Sequence, residues 1–159
     1  MFRLIEENLV RQNKALLLLL LLLEEEFSRL MQSNPQSVSQ VELSIQELMR
    51  QIAVERASLR RRVGALVKNA ARVRDLYPLM DDETRQTFMQ LLKMLDETEQ
   101  KCGTQAAKNN QMAMALFDQS KSLLDFMHNQ IKPKNTHAYA ATGRYAKAAS
   151  SARLLTGRL

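Results

Sequence analysis

The stretch NKALLLLLLLLEEEF, residues 13–27, sets eight consecutive leucines between a lysine and three glutamates, and its reading decides the fold. Ala15 to Leu23 amount to about 13 Å of helix, whereas a membrane-spanning helix needs roughly 20 apolar residues. A secretory signal needs a basic start and a small-residue cleavage site. Glu6 and Glu7 interrupt that start, and Glu24, Glu25 and Glu26 stand where the cleavage site belongs. The run therefore reads as the inside of a helical assembly. Leu16, Leu20, Leu23, Phe27 and Leu30 keep the 4-3-4-3 spacing of a coiled-coil seam. Leu17, Leu18, Leu19, Leu21 and Leu22 cover the other faces, so the expectation is a helix buried all round.

The rest of the composition agrees with helix. In 159 residues there are four glycines, three prolines and no tryptophan, and the length suits one domain with a real core. The single cysteine, Cys102, excludes an internal disulfide framework and points to a reducing, cytoplasmic setting. The net charge of +6 is local. From Lys132 onward there are six basic residues and no acid, which leaves 17 basic residues balancing 17 acidic ones in the body.

Three helices follow from the spacing, over about 2–31, 39–77 and 82–131. Pro35 separates the first two, because proline disfavours a helical residue before it. Ser39 is the expected N-cap of the second, with Glu42 completing a capping box and Val38 and Leu43 placed as a staple. Its seam runs Val38, Val41, Ile45, Leu48, Ile52, then Leu59, Val63, Leu66, Ala70, Val73 and Tyr77, with a one-residue slip near Glu55 and Pro78 as its end. Asp81 and Asp82 offer caps for the third helix. Its seam is Phe88, Leu91, Leu95, Cys102, Ala106, Ala113, Leu116, Leu123 and Met127.

The predicted fold is all-α: an elongated antiparallel three-helix bundle over 1–131, followed by a flexible basic tail over 132–159. Folding by residue count sets Leu20 beside Ile52 and beside Gly103 to Ala107, whose small side chains would admit a close approach. The third helix outruns the other two, leaving Leu123, Leu124, Phe126, Met127 and Ile131 without an intramolecular partner. They await a partner protein, a second copy of the chain in a homo-oligomer, or the tail.

Catalytic chemistry is not indicated. His128 and His137 lack neighbouring ligands for a metal, Cys102 sits on an apolar seam, and no glycine-rich phosphate loop is present. No cofactor is expected. Seven basic residues and no acid lie between Arg56 and Arg74. Such a stripe suits phosphate, but it lacks interleaved aromatic residues for bases. The expected register sets Asp96, Glu97 and Glu99 opposite Arg60 to Arg62, and Glu6 and Glu7 opposite Ala65, so internal charge pairing is the favoured account.

The segments LLLLLLLLEEEFSRLM, VELSIQELMRQIAVERASLRRRV and CGTQAAKNNQMAMALFDQSKSLLDFM, followed by AYAATGRY, resemble the FlgN family of flagellar export chaperones over nearly the whole chain. The resemblance implies a small, cytoplasmic, helical, non-enzymatic protein. It implies as partners the hook-associated proteins of the hook–filament junction and a component of the flagellar export gate, with no nucleic acid and no membrane insertion. Leu123, Leu124, Phe126, Met127 and Ile131 are then the candidate cargo site. Tyr139, Tyr145, Leu154 and Leu155 are candidate anchors of the tail on cargo or export gate. The alternative is a basic-tailed helical protein that binds nucleic acid or an anionic membrane surface.

Overall fold

The computed structural model describes residues 1–131, and the tail expected over 132–159 lies outside them. Three α-helices and one 3-10 helix account for nearly all of the described chain, with no strand among these residues: α1 (Phe2–Met31), α2 (Pro35–Leu66), the 3-10 helix Val73–Leu79 and α3 (Asp82–Ile131). The protein is an all-α helical bundle. The chain divides into two compact units, Met1–Ala113 and Met114–Leu159, the described part of the second being the remainder of α3. No described helix is long and apolar enough to cross a membrane.

Hydrogen bonds between side chains and neighbouring helices fix the directions in the first unit. Asn8 and Arg11 of α1 meet Glu55 of α2, and Arg29 donates to the Ser37 carbonyl at 2.9 Å, so α1 and α2 are antiparallel. Cys102 and Asn109 of α3 donate to the carbonyls of Leu16 and Leu23, so α3 runs parallel to α1. Ile5, Leu9, Leu16, Leu19 and Leu23 pack with Val41, Ile45, Leu48, Ile52 and Val63, and with Phe88, Leu95 and Cys102.

The polar residues inside this core specify its register. Asn8 is fully buried, donates to both the Glu55 carbonyl and carboxylate, and accepts from Gln12 Nε2 at 2.6 Å. Arg11 closes the layer with two bonds of 3.1 Å to the same carboxylate. A slip of either helix by one turn would strand these buried groups, at about 1–3 kcal/mol each. The layer also lies at Glu55, where the apolar spacing of the second helix slips.

Several expectations need correction. The leucine run is not buried on every side: Leu16, Leu19 and Leu23 are buried, whereas Leu17, Leu18 and Leu21 are exposed on the opposite face. Flanking helices cover one side of α1, and the outer face is left to solvent. The second helix does not run over 39–77. It starts at Pro35, with Asn34 as N-cap accepting from Ser37 N, while Ser39 donates to the Pro35 carbonyl. Proline at N1 begins a helix, because its missing donor would be unpaired there in any case.

The far end of that helix also differs. α2 stops at Leu66, Val67 is extended, and Asn69 turns the chain at φ 74°, a left-handed conformation that asparagine tolerates. Asp75 then accepts from Ala71 N and Arg72 N and caps the 3-10 helix, which contains Pro78. Val73 is nonetheless buried and Tyr77 half-buried, so part of the apolar spacing outlives the helix that suggested it, while Leu76, off that spacing, is fully buried.

Register and face can be separated at Leu20. It lies level with Gln46, midway between the Arg11–Glu55 and Arg29–Ser37 contacts, and not with Ile52. Along α3 the expected level is right but the face is wrong. Gly103, Thr104, Ala106 and Ala107 are exposed, and a Cβ added at Gly103 would meet nothing within 4 Å.

Candidate functional site

The third helix carries one continuous seam with two different fates. Phe88, Leu91, Leu95, Thr98, Cys102, Gln105, Asn109, Met112 and Leu116 repeat at alternating intervals of three and four, the period of a helix that lies along another. Phe88, Leu95, Thr98, Cys102 and Asn109 are buried. Thr98 satisfies its hydroxyl on the Met94 carbonyl at 2.8 Å. Asn109 donates to the Leu23 carbonyl at 2.8 Å and to the Glu26 carboxylate, and accepts from Gln105 Nε2. Thr98, Gln105 and Asn109 are seam positions that a search for apolar residues passes over. Burial pushes the Cys102 thiol above its ordinary pKa, which suits a packed cysteine and not a nucleophile.

No residue of α3 after Asn109 is buried. α1 ends at Met31, little more than a turn beyond Glu26. In the second unit the apolar pattern nevertheless persists. Met114, Phe117, Leu123, Leu124, Phe126, Met127 and Ile131 are all between 47 and 69 % exposed. Leu123, Leu124, Phe126, Met127 and Ile131 are the five residues singled out from the sequence. Phe117 was missed, although Phe117, Leu124 and Ile131 repeat at intervals of seven and so share a face. Asp118 and Asp125 point away from that face, whereas Lys121 lies beside Phe117 and Leu124 at its edge, so the segment presents an uncovered apolar face bordered by charge. Tyr139, Tyr145, Leu154 and Leu155 lie outside the described residues.

A second surface lies within the first unit. Arg56 and Arg60 of α2, Arg72 and Arg74 of the following segment, and Asp96 of α3 surround an open groove of about 400 Å³. Its floor is aliphatic: Leu59, Val63, Val73 and Leu92. The charge pairing expected here is only partly present. Glu99 pairs with Arg56, and Asp96 reaches Arg74 at 3.9 Å. Glu97 pairs along its own helix with Lys93, and Glu7 with Arg3. Among the described residues Arg60, Arg61, Arg62 and Arg72 have no carboxylate within salt-bridge distance.

Among the described residues no three His, Cys, Asp or Glu side chains converge on a point that could hold a metal. What the described residues offer is surface: exposed apolar side chains on α3 in the second unit, and in the first unit a bundle whose register is held by polar layers. The class that this fold defines is an all-α helical bundle. The chain matches the family described as FlgN protein over residues 1–147, and it belongs to that family. FlgN proteins are flagellar export chaperones and not an enzyme family, and they bind flagellar proteins. No curated protein and no solved structure matches the chain.

Proposed function

We propose that this protein is a cytoplasmic export chaperone that holds the C-terminal helical region of a hook-associated protein on the exposed face of α3. It keeps that region from assembling and assists its delivery to the flagellar export gate. The observation that carries this reading is the set of large apolar side chains that α3 leaves exposed beyond Asn109, from Met114 through Ile131. An amphipathic helix can lay its own apolar face against such a stripe, without nucleotide or metal. Each large side chain so buried contributes about 1.5–3 kcal/mol before the costs of ordering. The tail residues Tyr139, Tyr145, Leu154 and Leu155 supply further anchors, on cargo or on the gate.

The test is calorimetric titration of the full chain with the C-terminal segments of hook-associated proteins. Leu123→Ala with Phe126→Ala is expected to weaken binding about tenfold or more, with little change in the thermal midpoint of the free chaperone. A large loss of stability with unchanged affinity per folded molecule would place these residues in a core and overturn the assignment.

A further inference from the structure

The four arginines around the groove at the end of α2 are more charge than the fold uses. Arg56 and Arg74 have partners in Glu99 and Asp96, but the second contact is long, and both arginines remain exposed. Arg60 and Arg72 are exposed and face the same concavity with no carboxylate of their own among the described residues. A bundle concerned only with stability gains nothing from such crowding, since like charges at close range repel. The aliphatic floor adds a second requirement. Val63 and Val73 are buried, while Leu59 and Leu92 are half-buried and open to whatever enters.

We propose that this groove binds an acidic segment of a partner protein, with carboxylates on the guanidinium walls and an aliphatic side chain on the floor. Guanidinium groups match carboxylates in paired hydrogen bonds. The groove's volume admits side chains of a peptide and not a folded domain. Charge excludes the chain's own residues 132–159 as occupant, because they hold six basic residues and no acid. Nucleic acid is disfavoured by the floor, which presents aliphatic groups and no aromatic face for stacking. An anionic membrane is disfavoured by the concavity, which holds Arg60 and Arg72 around a hollow and not on a flat face. The site lies wholly within residues 1–113 and does not depend on what occupies the end of α3.

The experiment uses the full chain and a fluorescent peptide of alternating glutamate and leucine, followed by anisotropy at low and moderate salt. Binding at one site is expected, weakening as salt rises. Arg60→Glu with Arg72→Glu should weaken it about tenfold, whereas Lys14→Glu with Lys108→Glu, an equal change in net charge elsewhere, should leave it within about twofold. Circular dichroism establishes that each variant is folded; if the reversal unfolds the chain, Arg60→Gln with Arg72→Gln replaces it, with a smaller loss expected. Equal weakening by both pairs would reduce the effect to net charge and overturn the site. Equal affinity for a polyglutamate peptide would remove the role of the floor and overturn it too. Tighter binding of single-stranded DNA or of phosphatidylserine vesicles, lost in the same arginine variants, would assign the groove to phosphates instead. Arginine-dependent self-association in sedimentation would assign it to a second copy of the chain. No detectable peptide binding would end the proposal.

Discussion

Two neighbouring leucines of one unbroken run should differ sharply when truncated. Leu16 is 3 % exposed, and its carbonyl accepts from the buried Cys102 thiol at 3.4 Å. Leu16→Ala removes a side chain closed in by packed helices, and a buried Leu→Ala costs about 2–5 kcal/mol, the spread reflecting how far the site collapses. Leu21 is 61 % exposed, and alanine is at least as good a helix former, so Leu21→Ala should stay within about 0.5 kcal/mol of the parent. The difference, at least about 1.5 kcal/mol, is measurable by urea unfolding followed by far-UV circular dichroism, with the slopes compared to confirm that the same surface is exposed. In thermal unfolding the Leu16 variant should melt several degrees lower, about 2–8 °C per kcal/mol for domains of this size range. Equal losses at the two positions would refute the division of the run into a buried and an exposed face. They would restore the picture of a helix covered all round.

Gly103→Ala should stabilise the protein by about 0.5–1 kcal/mol, because a Cβ there meets nothing and the unfolded chain loses freedom; a loss of stability in the same urea assay would mean that α3 needs a close approach at this point. Asn34→Ala should cost about 1 kcal/mol by removing the cap on Ser37 N, whereas Ser39→Ala should be nearly neutral; the reverse order in thermal melts would move the start of α2 to Ser39.

The all-helical class, the bounds of α1 and α3, and an aspartate cap for α3 were legible because each rests on interactions within a few residues, although the choice between Asp81 and Asp82 was not. Asp81 accepts from Thr84 N, and bonds from the Thr84 side chain and backbone hold its carboxyl below the usual range. The apolar intervals of three and four marked most of the residues that are buried, and the apolar end of α3 could be named before any contact was known.

Tertiary structure alone decided what depends on rotation about a helix axis. Eight identical leucines contain no period, so nothing within the run separates Leu16 from Leu17; the positions of α2 and α3 do. Asn34 and Ser39 can both cap a helix, and the choice follows from where the chain turns between α1 and α2. Arg60 to Arg62 were expected opposite the acids of α3, yet it is Arg56, one turn earlier, that pairs with Glu99. Each residue advances the helix face by about 100°, so a small error in register or rotation carries a side chain from the core to solvent. Spacing along the chain identifies a helix and its stripe, but the neighbour that covers the stripe is set by packing over the whole bundle.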